Sequence, residues 1–300
     1  MEEEMNLPED KLAVYPEMKY ASEREFKISE ILSLALRVFG KRPGVFLLCA
    51  LMFAFPVSTV LAYVQSLVPD LSVITDPMEY LMAYVREMLP VILWNLGLSF
   101  FAMLGTLTVI LVTYSELYGN GRMPFGMAFY RAFKRFPAAA SAYLVLLLNL
   151  VACVILSSAV GALLPILSFL VLPFLITYAV YFALMRESTA VVAVHTGLGL
   201  WRNTACVTMI FRDRLGRVFG RYLLLGLIAL LPKVLLTLIA SFGLELIGNQ
   251  TVFIIASGAV DGLLSVFTFF LSACVTVMVN NMGDLIHKET AKLENTEKNC

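Results

Sequence analysis

Six stretches of this 300-residue chain are predominantly apolar over more than twenty consecutive positions, at about 43–65, 88–114, 138–161, 164–185, 220–243 and 252–280. A hydrocarbon core of about 30 Å takes roughly 20 helical residues to cross, so each stretch is long enough to span it. The apolar runs are continuous, whereas membrane β-strands alternate over about ten residues, and the pattern therefore predicts helices.

Ahead of every second run lies a stretch in which apolar positions recur at three- and four-residue steps with cations between them. In the first, Ile28, Ile31, Leu32, Ala35, Leu36 and Phe39 form the stripe, while Lys27, Glu30, Arg37 and Lys41 stand elsewhere. In the second, Phe125, Phe129, Ala132, Phe133 and Phe136 run beside Arg131, Lys134 and Arg135. In the third, Val191, Val194, Leu198 and Trp201 are followed by Arg212, Arg214, Arg217 and Arg221. Helices of this kind lie in the interface, apolar side in the acyl boundary and cations among the headgroups.

The phrase RVFG occurs at 37–40 and again at 217–220, and RAFKRFP (131–137) keeps its spacing, with Phe133 matching Phe39 and Pro137 matching Pro43. That implies a unit of about ninety residues used three times, each a basic amphipathic helix followed by a hairpin of two spans. Pro43 and Pro137 suit the bends into the bilayer, and Pro56, Pro165 and Pro173 the kinks within spans. The predicted fold is thus all-α, with six transmembrane helices as three hairpins. An acidic tail (1–26) precedes a membrane domain (27–283), and a short tail (284–300) follows it.

Composition supports a lipid environment: 60% of residues are hydrophobic, 15% are charged and mean hydropathy is +0.84. The first apolar run has no cleavage pattern, so a retained helix is expected rather than a signal peptide. Net charge is zero, but its distribution is lopsided. Twenty of the twenty-two Lys and Arg lie in the N-terminal segment, the 115–137 and 186–221 connections and the C-terminal segment. Basic residues mark the cytoplasmic side, which puts both termini there in a multi-pass protein of the cell membrane.

Two readings of the basic segments remain open. The cations at Arg37, Lys41, Arg42, Arg131, Lys134, Arg135, Arg212, Arg214, Arg217 and Arg221 either fix orientation alone, snorkelling to the surface, or form a collar that binds anionic lipid or a membrane-protein partner.

Inside the spans, Lys233 is the most costly residue, since a lone charge at the bilayer centre costs about 2.5–3.5 kcal/mol on insertion scales. Asp261 reaches a similar depth in the neighbouring antiparallel span, and GAVDG (258–262) around it allows close helix approach. The pair is either a packing device or an ion-linked or substrate site. Asn95 and Asn149 are expected to hydrogen-bond between helices. Glu116 and Glu187, at the cytoplasmic ends of spans, are expected to be solvated.

No nucleotide-binding loop, metalloprotease or serine-hydrolase motif occurs, and the two histidines stand far apart in sequence. The five cysteines are scattered, without metal-ligand spacing or a disulfide framework. No catalytic, cofactor or metal residues are therefore assigned. Nucleic acid is not an expected partner.

The lead EILSLALRVFGKRPGVFLL (30–48) and the connection RESTAVVAVHTGLGLWRNT (186–204), with Glu187, Ala193, Gly197 and Leu200 at matching steps, resemble the bacterial membrane domain of glycerophosphoryl diester phosphodiesterases and related integral membrane proteins. The resemblance runs from about 28 to 283. It implies a six-helix membrane part without the soluble catalytic domain, and so no carried-over catalytic residue. The expected function is a non-enzymatic membrane scaffold or accessory subunit. The alternative is a small transporter or permease subunit using the Lys–Asp pair.

Overall fold

The computed structural model describes residues 24–67, 77–118, 123–163, 168–197, 200–212, 214–244 and 247–298. Among these residues there are helices and no strands. They are α1 (Ile28–Lys41), α2 (Pro43–Ser66), α3 (Pro77–Tyr118), α4 (Phe125–Leu163), α5 (Ser168–Thr196), α6 (Leu200–Phe211), α7 (Leu215–Leu244), α8 (Gln250–Leu264) and α9 (Val266–Lys298).

Five helical segments among the described residues are long and apolar enough to cross a membrane: Pro43–Ser66, Trp94–Leu117, Pro173–Thr196, Leu215–Leu244 and Gln250–Leu285. The chain is accordingly an all-α, multi-pass membrane protein. The expected span at 138–161 falls within α4, where most side chains beyond Asn149 lie outside the described residues. Trp201, His287, Pro165 and Leu198 of the sequence reading likewise have side chains or positions outside them.

Several boundaries differ from the sequence reading. The helix expected from 88 begins at Pro77, so α3 projects well beyond the apolar segment that starts at Trp94. Pro137 makes no bend, and α4 runs through it. Pro137 lies on the exposed side of the helix, where the carbonyl it cannot bond is not trapped in the core. Residues 189–196, expected to lie in the interface, continue α5 and bury Val191 and Val194 in the core. Residues 28–41 form a separate amphipathic helix ahead of the first span; the chain turns at Arg42 (φ −135°, ψ 41°), and Pro43 opens α2 where an N–H is not required.

Pro56 acts through a wider turn. Residues Ala50–Ala54 form a π-turn in which the Phe55 N–H reaches back five residues to the Ala50 carbonyl, just before the proline. The last span is broken at Ser265 into α8 and α9. The Ser265 hydroxyl donates to the Asp261 carbonyl (2.9 Å), a side-chain bond that competes with the helical ladder. A straight helix over Gln250–Leu285 would measure about 54 Å, far more than a bilayer core.

The core is organised around the first half of α9. Every residue from Phe269 to Met282 is buried, as expected for a helix surrounded on all sides. It packs on α3, α5, α7 and α1. Gly105 on α3 permits one close approach: a Cβ there would stand 2.9 Å from Phe269 and 3.0 Å from Phe53. The close approach provided by GAVDG is made to α2 rather than to α7, since a Cβ on Gly262 would lie 2.5 Å from the Phe55 Cα and one on Gly258 2.7 Å from the Thr59 Cα. The first span and the first half of the last are thereby joined backbone to backbone.

Among the five described spanning segments α7 is the least buried. Only Val218, Tyr222, Leu225 and Ala229 are buried, a single stripe at steps of four and three, and its second half leaves Leu235, Ile239 and Phe242 exposed.

Candidate functional site

Three polar arrangements stand out in this apolar framework. The first is the basic end of the bundle, where α1, the starts of α2, α4 and α7, the ends of α3 and α5 and the middle of α9 meet. Glu116 at the end of α3 is almost covered, contrary to the expectation of a solvated carboxylate, because Arg42 Nε lies 2.8 Å from its Oε1 and Lys41 Nζ 3.8 Å from its Oε2. Arg135 lies flat against Gly197, in the turn that closes α5. Gly197 has φ +61°, and a Cβ there would collide with the guanidinium. The glycine serves the left-handed closing turn, and the cation complements the helix C-terminus.

A third set gathers on Glu25. Arg221 Nη2 is 2.8 Å from its Oε2, while Arg217 Nη1 and Arg214 Nε are 3.4 and 3.5 Å from its Oε1. Glu25 is held in place by its neighbours: the Phe26 N–H donates to Asn281 Oδ1 (2.8 Å), Asn281 Nδ2 donates to the Arg24 carbonyl (3.4 Å), and Phe26 itself is buried. The adjoining Glu30 accepts from the Lys27 N–H (2.7 Å), which together with Arg24 (2.7 Å) holds its carboxyl below the usual carboxylate range.

Of the cations expected to face headgroups, Arg42, Arg135, Arg214 and Arg221 are therefore turned inward, drawn by carboxylates or by a helix end. Arg37, Lys41, Arg131, Lys134, Arg212 and Arg217 stand exposed, Lys134 4.6 Å over the Tyr130 ring.

The second arrangement lies between spans. Lys233 Nζ is 2.9 Å from Asp261 Oδ1, and the Ser58 hydroxyl donates to Asp261 Oδ2 at 2.6 Å. Each charged residue stands about 16 Å along its helix from the α7–α8 connection, which is why the antiparallel pair brings them level. Lys233 is 23% exposed and Asp261 47%, so the pair opens onto the flank of the bundle and not into its core. The Asn149 Nδ2 donates to the Val145 carbonyl of its own helix, and Asn95 is exposed.

The third arrangement escaped the sequence reading. Glu187 is buried beside α9, where it accepts from Ser272 Oγ (2.9 Å) and pairs with Arg186 Nη2 (2.8 Å). Ser272, Thr276 and Asn280 recur every fourth residue along the inner face of α9, and Thr108 and Thr113 of α3 and Ser188 and Thr189 of α5 are buried as well. Several of these hydroxyls donate to carbonyls four residues back: Thr276 to Ser272, Thr108 to Leu104 and Thr189 to Met185. Such satisfied small polar residues permit close packing of membrane helices. The available signal was the four-residue period in LSACVTVMVNN (271–281), a polar stripe inside an apolar helix.

His195 sits at the end of α5 with its ring 4.1 Å from that of Tyr114. Among the described residues no three His, Cys, Asp or Glu are gathered as metal ligands. The Cys206 thiol on α6, partly buried, is pushed above its ordinary range by that burial. Surface hollows of about 300 and 200 Å³ lie beside Phe26 and Glu30 on α1 and between Tyr181, Phe211 and Arg212.

No family model, curated protein or solved structure matches the chain.

Proposed function

We propose that this protein is a scaffold or accessory subunit of the bacterial cell membrane, with six spans and both termini cytoplasmic, whose basic end meets anionic lipid headgroups or a partner subunit. The sixth span in this reading is the 138–161 portion of α4. The observation that carries it is the division of labour among the charges at one end of the bundle. The inner cations lock the helices together through Glu116 and Glu25, while Arg37, Arg131, Lys134 and Arg217 form an exposed rim at the level where the spans begin. The buried carboxylate Glu187 is engaged by Arg186 and Ser272, an arrangement that fastens helices together. The proposed kinship is with the membrane part of the phosphodiesterase group, acting without enzymatic activity of its own.

Native mass spectrometry of the gently extracted chain tests this reading. It expects a retained anionic phospholipid or a stoichiometric membrane subunit. A chain that retains neither, and that moves a solute across proteoliposomes, would overturn it. The second reading, a small permease subunit, draws on Lys233, Asp261 and Ser58, a charged and hydrogen-bonded group at mid-depth of a lipid-facing flank.

A further inference from the structure

Arg214, Arg217 and Arg221 follow one another at steps of three and four, and the same stripe continues through Leu224 and Ile228, both exposed. One face of α7 therefore carries guanidiniums at its start and bare aliphatic side chains directly beneath them. All three arginines reach the carboxylate of Glu25, at 2.8–3.5 Å. Three guanidiniums carry about fifteen N–H donors, whereas one carboxylate accepts about four. Arg221 Nη1 is buried with no hydrogen-bond partner among the described residues, while Arg217 is 64% exposed and gives access from outside.

Glu25 reaches this cluster from a different part of the chain. It is presented by a segment that Asn281 and buried Phe26 pin to the middle of α9. A carboxylate delivered in this way to a guanidinium cluster occupies the place of a phosphate oxyanion, which bonds guanidinium more fully because it has more acceptor oxygens.

We propose that Arg214, Arg217 and Arg221 are the seat for the phosphate of an anionic phospholipid whose acyl chain lies along Leu224 and Ile228, and that Glu25 is the resident competitor for that seat. This inference rests on the lipid-contact reading above and narrows it to one site and one ligand chemistry. The depth favours lipid over soluble phosphate: Arg217 and Arg221 lie in the first two turns of a spanning helix, where arginine meets headgroups. Lipid phosphate and Glu25 exclude one another, so occupancy of the seat turns Glu25 away and loosens the segment that carries it.

The test uses the intact chain in neutral detergent, titrated with dioctanoyl phosphatidylglycerol, dioctanoyl phosphatidylcholine or inorganic phosphate and followed by native mass spectrometry. Phosphatidylglycerol is expected to bind in preference to phosphatidylcholine. Glu25→Gln is expected to tighten it about tenfold and Arg217→Gln to weaken it about tenfold, each equivalent to about 1.4 kcal/mol. Arg86→Gln, a control on α3 away from the seat, leaves binding unchanged. Should Glu25→Gln fail to fold, the exposed Arg217 variant reads the same seat.

Unchanged phosphatidylglycerol affinity in both Glu25→Gln and Arg217→Gln overturns the seat. If Arg131→Gln or Lys134→Gln then weakens binding, the general lipid reading survives without it. Absence of any preference for the anionic lipid overturns both. Displacement of phosphatidylglycerol by inorganic phosphate at low concentration assigns the arginines to a soluble phosphate and overturns the acyl-chain half of the proposal.

Discussion

Neutralising Lys233 leaves the Asp261 carboxylate with Ser58 as its hydrogen-bond partner, at mid-depth of a spanning helix. A lone charge in that position costs about 2.5–3.5 kcal/mol on insertion scales. Asp261 is 47% exposed toward the flank and can relax there, so we expect Lys233→Met to cost about 1.5 kcal/mol, less than the full penalty. Asp261→Leu should cost a similar amount by stranding the ammonium. The double variant removes both charges and should cost only about 1 kcal/mol, a coupling of about 2 kcal/mol between residues in direct contact. Unfolding in mixed micelles, followed by the loss of helical signal, measures all three. Additive single effects would refute mutual stabilisation by the pair. A folded double variant that has lost a solute flux present in the wild type would favour the permease reading over the scaffold.

Gly262→Val places a branched side chain against the Phe55 backbone and should destabilise the α2–α8 contact by about 1–3 kcal/mol, the usual cost of overpacking, read as a lower unfolding midpoint. Asn281→Ala strips the buried Phe26 N–H of its acceptor and should cost about 1–3 kcal/mol, with faster proteolysis around residue 25 as the local readout. Glu187→Leu leaves Arg186 unpaired; because Arg186 is 37% exposed, the expected loss is about 2 kcal/mol, below the 3–5 kcal/mol of a fully enclosed pair, again from the unfolding midpoint. Glu30 is held below its unfolded pKa, so its contribution is present above the ordinary carboxylate range and disappears as pH falls through the lower folded value; acidification should fray the start of α1 in wild type and have no such effect in Glu30→Gln, measured by hydrogen exchange.

Much of this architecture is legible in the sequence because lipid imposes one dominant demand, that long apolar runs satisfy their own backbones as helices. The amphipathic stripe over 28–41 and the shared depth of Lys233 and Asp261 follow from period and rise alone. What did not follow is which helix neighbours which. GAVDG announces a close approach without naming α2 as the partner, since many helices could meet a small-residue face. Glu116 and Glu187 could not be placed from sequence either: a carboxylate at a span end reads as solvated unless the remote Arg42 or Ser272 that encloses it is known. The same reasoning explains Pro137, whose effect depends on whether its helix face points at water or at protein. The arginines of the basic end appeared uniform in sequence. Glu25, 192 residues from Arg217, gathers Arg214 and Arg221 inward, while Glu116 and the end of α5 do the same for Arg42 and Arg135.

The bond from the Phe26 N–H to Asn281 joins positions 255 residues apart. During synthesis the first span emerges long before the last, so the amide of Phe26 has no such acceptor until α9 has been made and inserted. Closure of that bond is then among the final events of biogenesis, after the slow search that distant contacts require. A nascent protein lacking its last helix would leave Phe26 and the apolar side of α1 without the surface on which they pack. The contact thus ties the segment ahead of the first span to the last helix to be made.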